Sequence, residues 1–119
     1  MAIHNELGKE GERLALIHLQ KNGYQILEHN YRYLKAEVDI IALKEGTLAI
    51  VEVKTRSTRD FGLPQDFVSK KQIKRLVMAT DYYVNLNDLT VEVRFDIIAV
   101  IIDKNKVELE HLEDAFYIF

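Results

Sequence analysis

The sequence predicts a single α/β domain, and three observations carry that prediction. Apolar residues recur with a helical period over residues 6–22 and 65–87. They alternate with a period of two between 37 and 56 and again beyond 90. No linker, repeat or low-complexity segment divides residues 1–119, and an apolar fraction of 48% is enough for one core.

The first helix, residues 6–22, ends near Asn22-Gly23, a common C-terminal stop. Gly8, Glu12, Ala15, Leu16 and Leu19 fall on one side of it. Glu12 is therefore an acid on a small, apolar face that the pattern buries, and a buried acid needs a partner. A metal or basic group near other carboxylates would serve, and so would a backbone amide. Tyr24–Glu28 reads as the first strand, leading through Asn30 to Tyr31-Arg32-Tyr33. Arg32 either reaches a phosphate or is an exposed arginine stacked between two tyrosines.

Residues 37–42 and 48–56 form a hairpin around Lys44-Glu45-Gly46-Thr47, with Gly46 free to take positive φ. Alternation puts Glu37 and Asp39 on one face of the first strand, and Glu52 and Lys54 on one face of the second. A polar loop over 57–64 follows. Pro64 then starts a helix over 65–87, because a first-turn proline loses no helical hydrogen bond. Residues 90–102 are strand-like, with Arg94 and Asp96 interrupting an apolar run; 103–106 is a turn and 107–112 a half-exposed strand. The terminal Phe116-Tyr117-Ile118-Phe119 either closes over the core or contributes to a homodimer contact.

Composition removes several function classes. There is no cysteine, which excludes disulfide scaffolds and thiolate zinc sites. No apolar run approaches the ~20 residues of a membrane span, and the first residues lack the basic and apolar regions of a secretory signal. A cytoplasmic protein without a membrane partner is expected. The four histidines show no metal-ligand spacing, and no Gly-rich phosphate loop, nucleophile elbow or dinucleotide fingerprint is present. Charge is uneven. Between Lys54 and Arg75, seven basic residues face two acidic ones, a net of +5 that leaves −8 elsewhere in a chain totalling −3. Such a segment beside acidic strands suits a phosphate backbone; a plainly solvated helix face is the alternative.

Carboxylates gathered in apolar strands are costly. They repel one another and lose hydration, which drives their pKa upward. A hard divalent cation relieves both costs, because Mg²⁺ is held by one or two carboxylates with water or phosphate completing its shell. The competing reading is an ordinary solvated strand face at Glu52–Lys54, with Asp39 capping a bend.

Several stretches of the chain belong together: Gly8-Lys9-Glu10-Gly11-Glu12, Asn30-Tyr31-Arg32, Glu37-Val38-Asp39-Ile40-Ile41-Ala42, Val51-Glu52-Val53-Lys54-Thr55-Arg56, Phe61-Gly62, Lys71 and Arg94-Phe95-Asp96. On them nearly the whole chain resembles the YraN-like family of bacterial predicted endonucleases. That family is similar to archaeal Holliday junction resolvases within the PD-(D/E)XK nuclease superfamily. The resemblance implies a restriction-endonuclease-like, three-layer fold with a mixed central sheet flanked by helices. It also implies Asp39 and Glu52 as metal-binding acids, Lys54 as the active-site lysine and Glu12 as a further acid, with a less defined part for Glu37. Ala36 stands where the family has glycine.

The function so implied is hydrolysis of phosphodiester bonds in nucleic acid, structured or branched DNA above all, with Mg²⁺ or Mn²⁺ as cofactor. Arg32, Arg56, Lys71 and Lys74 would hold flanking phosphates. Two other functions fit the same residues: a nuclease-fold module that binds nucleic acid without cutting it, and a protein-interaction domain.

Overall fold

A computed structural model of the chain describes residues 2–58 and 68–116, the side chains of residues 2–5 excepted. The elements are α1 (Ala2–Lys21), β1 (Gln25–Tyr33), β2 (Ala36–Lys44), β3 (Thr47–Arg56), α2 (Lys70–Leu86), β4 (Glu92–Asp103) and β5 (Lys106–Leu112). The five strands form one mixed sheet in sequence order. Neighbours are antiparallel except β3 and β4, which run parallel across the α2 connection.

One helix covers each face. Val38, Ile41, Leu48, Ile50, Phe95 and Ile97 pack under Leu76, Ala79 and Tyr83 of α2. Ile40, Ala42, Ala49, Val51, Ile98 and Val100 pack under Ala15 and Leu19 of α1. Central strands β3 and β4 are thus apolar on both sides, as a covered parallel pair requires. No helix among the described residues is long and apolar enough to cross a membrane.

Local chemistry sets the boundaries. The first helix ends as expected: Gly23 takes φ 88°, while its amide and that of Tyr24 bond back to the Gln20 and Leu19 carbonyls. The β2–β3 turn puts both Glu45 and Gly46 at positive φ, the pairing that matches hairpin twist. The second helix departs from expectation. It begins at Lys70, not residue 65, because extended Ser69 caps it and accepts from the Gln72 amide at 3.1 Å. Pro64 and Phe61-Gly62 lie outside the described residues.

Gly11 sets how closely α1 lies on the sheet. A Cβ there would overlap the Thr55 hydroxyl and stand 2.9 Å from Thr55 Cβ, so only glycine lets the helix rest on β3 beside Lys54.

Strict alternation fails in β2. Val38 belongs to the core under α2, Ile40 to the core under α1 and Ile41 again to the core under α2. The face therefore reverses at Asp39, which breaks the strict period of two expected from Glu37 to Asp39. The neighbouring strand reverses with it. Asn30 lies between the pairs His29↔Ile40 and Tyr31↔Val38, and takes φ 57°, a conformation that asparagine tolerates.

At the far side of the sheet, buried Asp96 is fully hydrogen-bonded. It accepts from Arg94 Nε at 2.9 Å and Nη2 at 2.8 Å, and from the Asp114 amide at 3.1 Å; its Oδ2 lies 2.8 Å from His111 Nε2. Arg94 also donates to the Tyr24 hydroxyl at 2.5 Å. Burial pushes this carboxyl up, but the bonds from His111, Arg94 and Asp114 outweigh it and leave it below the usual range. The network anchors the chain after β5. The Ala115 amide bonds the Phe95 carbonyl, and Phe116 closes over the core against the Phe95 ring. Tyr117–Phe119 lie outside the described residues.

Candidate active site

The site opens where two paired strands part. The β2–β3 ladder runs from Lys44↔Thr47 to Ile40↔Val51 and goes no further. Beyond it the Val53 amide donates to Asp39 Oδ2 at 2.8 Å, so a side chain replaces the missing backbone acceptor. Residue 52 of β3 then points toward α2, level with Ile97 of β4. Glu52 as a whole is only 4% exposed. Gln72, in the first turn of α2, donates its amide to Glu52 Oε2 at 3.1 Å.

Ser69 and Gln72 have the spacing of a capping box, in which the glutamine normally turns back to the cap's own amide. Here the side chain is aimed at Glu52 instead. Glu52 Oε1 is left buried with no partner. A cleft of about 370 Å³ lies over this pair, with Lys35, Glu37, Lys71 and Arg75 on its walls.

Both acids are driven above the usual carboxylate range, Glu52 the further of the two. Burial pushes Asp39 up to about 6, against the Val53 hydrogen bond, and the charges of Glu12 and Glu37 push the same way while Lys54 opposes them. Burial and then the charge of Asp39 push Glu52 up to about 8, opposed by Lys54 and by a bond from the Asp39 backbone, while the Asp39 side chain adds to the rise. The ammonium of Lys54 thus acts on both carboxyls.

This donor set suits a hard divalent cation. Two adjacent carboxylates are offered, one with a free oxygen, in a cleft open to water. Among the described residues, no three His, Asp or Glu side chains converge closely enough to hold a metal by themselves. Any remaining ligands would come from water or phosphate.

The other predicted residues are spread more widely. Glu12 is 26% exposed at its side chain rather than buried, and its Oε1 lies 2.9 Å from His29 Nε2. Its partner is therefore a basic group on β1. Glu12 lines a second cavity, of about 770 Å³, with Lys9, Arg13, His29, Asn30, Arg32 and Glu37. Glu37 lines both cavities and pairs with exposed Arg32 at 2.7 Å. The tyrosines flanking Arg32 do not sandwich it, because each turns toward α2: Tyr31 meets Tyr83 edge-on and Tyr33 stacks on Tyr82.

Lys71 lines the acid cleft, whereas exposed Lys74 is not among its walls. Arg56 donates to the Thr55 carbonyl at 2.8 Å. Sequence reasoning missed Gln72 and His29, and took Arg75 only as one of the basic residues of the 54–75 segment. For Gln72 a signal existed in the Ser69-x-x-Gln72 spacing, and Arg75 lies one helical turn after Lys71. Nothing local marked His29, which meets Glu12 across 17 residues.

Comparison with known proteins places these residues in a family context. The family model described as "Uncharacterised protein family UPF0102" matches residues 11–100. A UPF0102 protein of Christiangramia forsetii is 60% identical over 119 residues, covering all of both chains. One from Flavobacterium psychrophilum is 59% identical over the same length, again with full coverage. A Bacteroides fragilis relative is 49% identical across 98% of this chain and 97% of its own.

Proposed function

The chain belongs to the uncharacterised protein family UPF0102, and we propose that it is a metal-dependent endonuclease of the PD-(D/E)XK type, hydrolysing phosphodiester bonds in nucleic acid, branched or otherwise structured DNA first. One observation carries the reading: the buried, partnerless Glu52 Oε1 beside a second acid, Asp39. A structural acid has no reason to leave that oxygen unsatisfied, since an unpaired buried acceptor costs about 1–3 kcal/mol, and a charged one more.

In this reading Asp39 and Glu52 hold Mg²⁺ or Mn²⁺. The bound cation supplies Lewis acidity toward a phosphoryl oxygen and makes water more acidic at neutral pH. Gln72 fixes Glu52 Oε2, which leaves Oε1 as the free donor. Lys54 orients the attacking water and stabilises charge growing on the phosphorus-bound oxygens. Lys71 and Arg75 hold the phosphates on either side and position the strand without reading its sequence. Glu12, tied to His29 across the neighbouring cavity, acts on Asp39 through its charge. Cleavage of branched, flapped and single-stranded DNA in Mg²⁺ and in Mn²⁺ tests the proposal; no cut in either metal across the panel would remove it.

A second reading, binding without cleavage, draws on the absence of three converging ligands among the described residues. Salt-sensitive binding that is unchanged in Asp39→Asn, with no turnover, would favour it.

A further inference from the structure

The β1–β2 hairpin carries a feature that catalysis leaves unexplained. Its tip is Leu34-Lys35, between the paired residues Tyr33 and Ala36. Leu34 takes φ 55° and is 78% exposed. The turn sets this conformation, as it does for Glu45 and Lys104 at the other hairpin tips; what distinguishes Leu34 is a large apolar side chain held out in water.

A lone exposed leucine means little, but this one continues an apolar surface. Tyr33, the next residue back, stacks on Tyr82 of α2 with ring centroids 4.1 Å apart at 19°. Tyr82 is 41% exposed, and Met78, one turn earlier on the same helix face, is 50% exposed. On the other side of Leu34, Lys35 and Ala36 line the acid cleft together with Lys71 and Arg75. Apolar and aromatic surface thus adjoins cations at the cleft mouth.

We propose that Leu34 and the Tyr33–Tyr82 stack form a subsite for an unpaired base next to the phosphate held in the cleft. The inference rests on the nuclease reading and goes further, naming the feature of the substrate that is recognised. Cations beside the acids suit phosphate, and a leucine tip or an open aromatic face suits a base that has left its stack. A fully paired duplex keeps its bases from both. The chain therefore prefers nucleic acid with a bulge, a branch point or a single strand at the cut.

The test uses two fluorescein-labelled DNA hairpins in EDTA at fixed ionic strength. One has a fully paired stem, and the other has the same stem interrupted by an unpaired 2-aminopurine. The bulged stem should bind about tenfold more tightly, within the range of one stacked base, and the 2-aminopurine emission should fall on binding. Leu34→Asn, whose new residue tolerates positive φ and so preserves the turn, and Tyr82→Ser should each erase most of that preference without weakening binding to the paired stem.

Equal affinity for the two stems would overturn this inference and leave the nuclease reading standing. Failure to bind either stem would also overturn this inference, while the cleavage panel in Mg²⁺ and Mn²⁺ decides the nuclease reading separately. A dimer seen by sedimentation that Leu34→Asn dissociates would assign the surface to a second copy of the chain and also overturn the inference.

Discussion

Two carboxylates are buried in neighbouring strands of one sheet, on opposite faces, and they are held in opposite ways. Asp96, level with Val51 on the face under α1, has both oxygens engaged by Arg94, His111 and the Asp114 amide. Its pKa is driven down. Glu52, level with Ile97 on the face under α2, is bonded at Oε2 by Gln72 and acted on by hydrogen bonding from Asp39, but its Oε1 has no partner. Its pKa is driven up to about 8. Burial alone therefore does not mark a site. What separates the two acids is whether the chain supplies enough donors to make the charge tolerable, and at Glu52 it does not.

The sharpest way to break this contrast is to neutralise each acid. Glu52→Gln and Asp39→Asn should lower cleavage by at least about a thousandfold, about 4 kcal/mol of transition-state stabilisation. The same variants should melt no lower than wild type at pH 8 without metal, because each removes a poorly solvated charge. Asp96→Ala should do the reverse. Leaving Arg94 and His111 without their acid should cost about 3–5 kcal/mol in chemical denaturation, and the chain after β5 should exchange its amide hydrogens faster.

The acids also predict a pH dependence. Unfolded, Asp39 and Glu52 titrate near their ordinary values of 3.8 and 4.5; folded, they titrate near 6 and 8. The folded chain therefore keeps protons that the unfolded chain has released, and metal-free stability should fall as pH rises from about 4 through about 8. Thermal melts across this range should show the decline in wild type, reduced in Glu52→Gln. A smaller effect belongs to Gln72. Gln72→Leu should weaken Mn²⁺ binding by about 10–100-fold, with partial rescue in Gln72→Asn. Least of all, the exposed Arg32–Glu37 pair should contribute under about 1 kcal/mol to stability in a double-mutant cycle.

Much of this arrangement was legible in the sequence. Apolar periods gave the helices and strands, Gly23 and Gly46 gave the turns, and the period of two in β3 put Glu52 and Lys54 on the face that the acid cleft uses. Periodicity could not reveal the reversal at Asp39. It depends on β2 and β3 ending their ladder at Ile40↔Val51 while β1 reverses with β2 through Asn30, a matter of pairing rather than composition. The start of α2 was misread because Pro64 outweighed the weaker Ser69-x-x-Gln72 spacing, and it is Ser69, accepting from the Gln72 amide, that caps the helix. The partner of Glu12 came from another strand, and the donors to Asp96 came from β4, β5 and the turn after β5. Long-range pairings of this kind leave no local pattern.

Titration calorimetry with Mn²⁺ at pH 7.5, repeated in buffers of different ionisation enthalpy, tests the central claim most directly. If Asp39 and Glu52 form a cation site that otherwise keeps protons, one binding event should be accompanied by proton release, seen as a buffer-dependent heat, and both should vanish in Asp39→Asn. Absence of binding in wild type, or binding of equal strength in Asp39→Asn with no proton released, would contradict it.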